Sequence, residues 1–386
     1  MKLSQVALLI AIFLDLVGFG MAFPDVQLRA EAYGAKGWLI GALLASLFVV
    51  QFLASPWWGR LSDRIGRKPV IVTCTLLSAC SMLVYAHAVN VWWILGSRVL
   101  GGLAAANVVV AQAYLADITG EEERPGAMGR IGAAISAGLI TGPALGGYLA
   151  AIGGNQLLGN IAGLFSGLGA ACLLLFLKAE SGRSEAEPGK HPIVDLRLLK
   201  DLPELRRLFA LAVVSWFALA CLEGTFGRLI HLKLSLGQKE FGEIFSFESL
   251  VAVVVQGLLL GYLSKRLNQS VMLRIGYLMM GTGLFLMPYA PAFGVLFGFS
   301  AIYSIGTGLA NPTVNSACSS ITPQDRQGEL FGLLQGTRSI GFFVGPILGG
   351  ILFDWHPEAP YILAGFVGLL AASLVPKVSI LQPSPS

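Results

Sequence analysis

The stretch GRLSDRIGRKP (residues 59–69) sets four cations, Arg60, Arg64, Arg67 and Lys68, around one anion, Asp63. Only 12% of the 386 residues are charged, while 55% are hydrophobic. A soluble globular domain carries about 25% charge, so this chain has too little to coat a surface that meets water on all sides. Charge gathered in a short segment between two long apolar runs is the pattern of a loop leaving a membrane. The 48 glycines agree with that reading, because Gly is more frequent in transmembrane helices than in soluble ones.

A membrane-spanning helix needs about 20 mainly apolar residues. Outward from the charged loop, twelve such runs are predicted, near 5–24, 37–58, 69–90, 92–116, 127–151, 157–177, 207–229, 242–263, 272–289, 292–317, 328–353 and 360–376. The first run reads as a retained span rather than a signal peptide. No small-residue cleavage site follows it, and Asp15 interrupts it. The polar segment 178–206 divides the runs six and six. The expected organisation is an N-terminal six-helix bundle (1–177), a linker (178–206) and a C-terminal six-helix bundle (207–386). Part of the linker, DLRLLKDLPELRRLF, has the pattern of a short amphipathic surface helix.

Lys and Arg concentrate in the linker and in alternate short loops, at Arg60 to Lys68, Arg124, Arg130, Lys265, Arg266, Arg274 and Arg326. The opposite loops hold Arg29, Lys36, Arg228, Lys233 and Lys239. By the positive-inside rule, both termini and the linker are expected in the cytoplasm, in a multi-pass protein of the cell (inner) membrane.

The two halves repeat. GRIGAAISAGLITGPALGG (129–147) and GLLQGTRSIGFFVGPILGG (332–350) share one glycine spacing. GRLSDRI (59–65) is echoed by GYLSKRL (261–267), and LDLVGFG (14–20) by LEGTFG (222–227). Three matches in one order, each offset by a little over 200 residues, imply two parallel six-helix halves, a known transporter architecture.

Ionisable groups inside apolar runs are expensive and mark pathways or relays. Asp15 lies near the middle of the first span. It either takes up and releases a proton or fixes helix packing. Arg98, in the fourth span, is either a fixed counter-charge for a carboxylate or an interfacial group beside Trp92 and Trp93. Glu223 falls where Asp15 does in the repeat, and either lines a cavity or pairs locally with Arg228. Glu248 is a further embedded carboxylate. With Gln51, Asn107, Gln256 and Asn311 it forms a candidate substrate-cavity set. Gly138, Gly142 and Gly146 are spaced i, i+4, i+8 and form a flat stripe that lets backbones pack closely. Pro143 permits a kink. The expected role of the stripe is helix association, or a sliding contact between the halves.

Other chemistries lack support. The net charge is +4, with no dense basic face for nucleic acid. The five cysteines show no CxxC spacing, so neither disulfides nor a metal site is expected. No H-E-x-x-H occurs and the four histidines are scattered, so an enzyme is not expected.

The 59–69 loop resembles the signature between the second and third helices of the major facilitator superfamily, G-x-L-[SA]-D-R-x-G-R-[RK]. Gly59, Leu61, Asp63, Arg64, Gly66, Arg67 and Lys68 fill its positions. Gly129, Gly138, Gly142, Pro143, Gly146 and Gly147 resemble the fifth-helix motif of the antiporters in that superfamily. FLDLVGFGMAFPDV resembles the first-helix motif of twelve-helix drug/proton antiporters, and YLADIT (114–119) resembles the corresponding region of tetracycline/proton antiporters. The resemblance implies an all-α membrane fold of twelve helices in two pseudo-symmetric halves. It implies proton coupling through Asp15 and Arg98, and Arg67 bridging Asp63 to Asp117 as a cytoplasmic gate, with Asp63 facing the start of the eleventh span. The chain departs from the tetracycline antiporters where SACSMLVYA and YLMMGTGLFLMPYA lack acids.

The function expected is proton-coupled efflux of small amphipathic compounds by alternating access. Asp15, Arg98 and Glu223 would carry proton coupling, the proton gradient would be the driving force, and no cofactor is expected. The expected partners are a small-molecule substrate, protons and the lipid bilayer, with a monomer as the working form. Two alternatives stay open: a transporter of the same fold for a sugar, metabolite or siderophore, and a non-transporting receptor or scaffold.

Overall fold

The computed structural model describes residues 3–120, 123–178, 197–323 and 326–376. Within them the chain is helical throughout. The elements are α1 (Leu3–Met21), α2 (Phe23–Ala32), α3 (Gly37–Ile65), α4 (Arg67–Ala86), α5 (Val91–Ala104), α6 (Asn107–Asp117), α7 (Arg124–Phe176) and α8 (Arg197–Asp201). They continue as α9 (Pro203–Leu234), α10 (Gln238–Val254), α11 (Leu260–Leu263), α12 (Gln269–Leu286), α13 (Phe293–Ile321), α14 (Gln327–Trp355) and α15 (Ala359–Leu374). A π-helical turn, Val255–Leu259, joins α10 to α11. Ten helical stretches are long and apolar enough to cross a membrane, and α15 is a shorter apolar helix.

These stretches carry the twelve expected spans because one of them holds two. Helix α7 has 53 residues, about 80 Å at 1.5 Å per residue, twice what a bilayer needs. It breaks at Gly154, whose φ of 70° and ψ of −176° lie outside the helical region. Glycine adopts positive φ without steric cost. The two legs run in opposite directions along α1. On the first leg, Gly138 packs on Phe13 and Leu16, and Gly146 on Met21. On the second leg, Gly18 packs on Ala162, and Ala11 on Gly169.

Most of the expected linker, residues 179–196, lies outside the described residues. Its end forms α8, and the amphipathic stretch continues directly into α9. The first span is also longer than expected. After a break at Ala22 it resumes as α2, with Pro24 in the first turn, where proline is well tolerated. The segment FPDVQLRA is therefore helix rather than loop.

The helices form two compact units. One holds α1, α2, α3 from Leu43 onward, α4 to α7, and Ser235–Ser246. The other holds Lys36–Ala42, α8, α9, and the chain from Phe247 onward. Each unit thus takes a short segment from the opposite half of the sequence.

The repeat in sequence is a repeat in packing. In the first unit α1 lies on α7, and α4 packs on both α7 and α5. In the second, α9 lies on α14, and α12 packs on both α15 and α13. The same scheme is built twice, with α9 in the place of α1 and α14 in the place of the first leg of α7. In the first unit the core gathers Leu8, Ile12, Trp58, Ile71, Cys74 and Tyr114.

Candidate functional site

Asp15 is buried at 4% exposure on α1. Its neighbours come from three helices: Ser78 of α4, Asn107 of α6 and Ser166 of α7. The Asn107 amide donates a hydrogen bond to Oδ2. Oδ1 has no hydrogen-bond partner among the described residues. Asn107 reaches this point because the fourth span breaks at Ala105 and restarts as α6. The Gln51 amide donates to the Ala105 carbonyl at 3.3 Å and supports the break.

Arg98, expected as a counter-charge for a carboxylate or as an interfacial group, is buried and is not among the polar neighbours of Asp15. It lies instead at the level of Asp25, ten residues after Asp15. Its guanidinium sits 4.9 Å from the ring centroid of Tyr85, and its charged neighbours are Asp25 and Arg29. The environment of Asp15 is one of hydroxyls and an amide.

Asp25, Arg29 and Tyr85 form a buried cluster that the sequence reading missed. The Tyr85 hydroxyl donates to Asp25 Oδ2 at 2.5 Å, and the Gln238 amide donates to Oδ1 at 3.5 Å. Arg29, expected in an outer loop, is buried. It donates to the carbonyls of Tyr85 (2.7 Å), Ala86 (3.3 Å) and Ala88 (2.8 Å). It thereby ties α2 to the end of α4 and to the turn that follows it. The i, i+4 pair of Asp25 and Arg29, preceded by a helix-starting proline, was the available signal.

In the second unit, Glu223 of α9 interacts with Arg338 of α14. The Arg338 guanidinium stacks 5.2 Å from Trp216 and 5.7 Å from Phe342. Arg338 was also missed, although it is a lone cation in the apolar run GTRSIGFF. Arg228 bonds to Asp354 at 3.1 Å, and its guanidinium lies 4.4 Å from Phe353. Glu248 is buried, with Ser300 and Glu223 as polar neighbours. Its Oε1 has no hydrogen-bond partner among the described residues. Nearby are Tyr303 and an edge-to-face pair, Phe247 and Phe297. Of the other cavity candidates, Asn311 is half-buried next to Pro312, and Gln256 is exposed in the π turn. Gln51 and Asn107 lie in the first unit and Glu248, Gln256 and Asn311 in the second, so the set is not one cluster within a single unit.

In the 59–69 loop, Arg67 reaches both acids. Nη1 is 2.5 Å from Asp63 Oδ1, and Nε is 3.2 Å from Asp117 Oδ2. Nη1 also donates to Ser62 at 2.5 Å. Gly66, at φ 97°, makes the reversal between α3 and α4. Lys68 donates to the Leu174 carbonyl at 2.9 Å. Arg64 is exposed, and the space around Gly59 is open.

The glycine motif has two faces. Gly138, Gly142 and Gly146 pack on α1 of their own half. The stripe itself is therefore helix association rather than a sliding contact between halves. The adjacent face, Pro143 and Gly147, packs on Gly242 and Gln238 at the start of α10. The second copy repeats this division. Gly341, Gly345 and Gly349 pack on α9, and Pro346 and Gly350 on Gly41 and Gly37 of α3. Gly129 faces open space.

The family model described as Major Facilitator Superfamily matches residues 8–235 and 208–385. The chain is 30% identical to "Multidrug resistance protein 2" of Bacillus subtilis (strain 168), over 97% of this chain and 94% of that one. It is 29% identical to "Tetracycline resistance protein, class G" of Vibrio anguillarum, over 90% and 89%. The crystal structure of nucleoside transporter NupG superposes with a TM-score of 0.73 at 15% identity, covering 97% of this chain and 96% of that one. That likeness is one of fold. With the helix packing built twice, the charged loop closed by Arg67, and a match along almost its entire length, the chain belongs to the Major Facilitator Superfamily.

Proposed function

We propose that this chain exports small amphipathic compounds, chiefly cationic ones, in exchange for protons. The observation that carries the reading is the grouping of Glu223, Glu248 and Arg338 in one unit. Glu248 places a second carboxylate beside the Glu223–Arg338 pair, and its Oε1 has no hydrogen-bond partner among the described residues, so a charge on Glu248 is buried among apolar helices. Such a charge is unfavourable unless it is neutralised. A proton or a cationic ligand can neutralise it, and each excludes the other, which is the elementary requirement of exchange. The aromatic rings of Trp216, Phe247 and Phe297 offer apolar contact beside it. Asp15, with hydroxyls and an amide as its polar neighbours, is a second site for a proton, since no cation is among its neighbours in the described residues.

The names of the relatives support efflux. The distribution of Lys and Arg supports cytoplasmic termini in an inner membrane, the more so because Arg29 and Arg228 belong to helices and not to outer loops. On this reading Arg67, Asp63 and Asp117 form the cytoplasmic gate, and the protein works as a monomer. The test is uptake of a lipophilic cationic dye into everted vesicles. Dye should accumulate only with an acid interior, and Glu248→Gln should abolish it. Accumulation without a proton gradient, or full transport by Glu248→Gln, refutes the exchange.

A further inference from the structure

The first unit buries two guanidinium groups and one carboxylate close together. Asp25 is fully buried, and Arg29 and Arg98 are 6% and 4% exposed. Tyr85 stands among them, with each guanidinium 4.9 Å from its ring centroid. Arg29 is met by three backbone carbonyls, and Asp25 by Tyr85 and Gln238. The cluster therefore holds one positive charge more than it balances, and an uncompensated buried charge is strongly unfavourable. Asp15 is not among the charged neighbours of Arg98, which are Asp25 and Arg29.

The surplus is localised on Arg98. Its Nη2 has no hydrogen-bond partner among the described residues, and Nε reaches Ser97 Oγ only at 3.5 Å. Arg98 lines a cavity of about 10 Å³ with Phe19, Phe23, Val26, Leu44 and Phe48. That is room for one water-sized group. Arg98 is the one charged side chain in the lining. The other lining residues are apolar, so the guanidinium is the group in this cavity that can bind an ion. A neutral water could accept from Nη2 but would leave the charge uncompensated.

We infer that Arg98 holds a small anionic group in this cavity, either a halide ion or one oxygen of a ligand carboxylate. The two share one chemistry, a compact negative charge accepting hydrogen bonds from a guanidinium.

The experiment measures the unfolding temperature of the purified full-length protein against sodium chloride, sodium bromide and sodium benzoate, with sodium methanesulfonate, neither halide nor carboxylate, holding ionic strength constant. A saturable rise with one or more of the three anions is expected. Arg98→Gln should abolish it. Asp25→Asn removes the nearest opposing negative charge, and should lower the half-saturating concentration about tenfold. Saturation by halides identifies a free ion, and saturation by benzoate alone identifies a ligand carboxylate. Equal unfolding temperatures in all four salts, or a rise that survives in Arg98→Gln, overturn the inference. Where Arg98→Gln does not fold, Asp25→Asn decides: an unchanged or higher half-saturating concentration overturns it.

Discussion

Two alanine substitutions in the same glycine motif should have opposite effects. A Cβ at Gly142 would lie 2.8 Å from Gly20 Cα and 2.8 Å from the Val17 carbonyl oxygen. Ordinary contact begins near 3.4 Å, so the shortfall is 3.4 − 2.8 = 0.6 Å on two sides. Both neighbours are backbone, so no side-chain rotation relieves the clash, and α1 must back away from α7. Overpacking of this kind costs about 1–3 kcal/mol, and rigid neighbours place it toward the upper end. The gain in helix propensity from Gly to Ala is about 1 kcal/mol. Gly142→Ala should therefore destabilise the protein by about 2 kcal/mol. At Gly129 nothing lies within 4 Å, so only the propensity gain remains, and Gly129→Ala should stabilise by up to about 1 kcal/mol. Heating detergent-solubilised protein and following the surviving monodisperse peak by size exclusion gives both values. A Gly142→Ala variant as stable as the parent, or two variants shifted in the same direction, would refute the packing argument.

Removing the Tyr85 hydroxyl leaves Asp25 without its strongest donor, so Tyr85→Phe should destabilise by about 1–3 kcal/mol in the same assay. Arg67→Gln breaks both loop ion pairs. Asp63 and Asp117 are 49% and 44% exposed, so the loss of stability should stay near 1 kcal/mol, while dye transport in vesicles falls much further. Outside the spans, burial raises the Glu358 carboxyl, but hydrogen bonds from Lys233 and its own backbone, with the charges of Lys233 and His356, hold it below the ordinary glutamate value. A lowered carboxyl contributes stability above its unfolded pKa and loses it as pH falls through the folded one. Thermal stability should therefore drop below about pH 4.5, and the drop should be smaller in Glu358→Gln.

Composition and periodicity made the spans legible, because each is a long run with one solvent, lipid, on its outer side. The repeat was legible because glycine spacing survives where helices must approach closely. The Arg67 bridge was legible because its three residues sit at helix ends, where the loop signature fixes their spacing. Depth was harder to read. Arg98 and Asp15 look like partners in a list of embedded charges, yet Arg98 has Asp25 and Arg29 as charged neighbours, while Asp15 is met by Ser78, Asn107 and Ser166. Arg29 reads as an outer-loop cation until α2 is seen to continue the first span and carry it onto the end of α4. Arg338 stands as a lone cation in GTRSIGFF, but its partners, Glu223 and Trp216, come from another helix more than a hundred residues away in sequence. The direction in which the glycine stripe faces was also out of reach, since i, i+4 spacing defines a face but not its neighbour.

The face formed by Pro143 and Gly147 packs on Gln238 and Gly242, which the ribosome makes about ninety residues later. At about 5–20 residues per second, the first bundle waits roughly 5–20 seconds in the bilayer with that seam uncovered. Lipid or the insertion machinery must occupy it meanwhile. A slow-codon cluster between these points, or separate expression of the two halves, would lengthen the wait and make this seam a point of attack for membrane quality control.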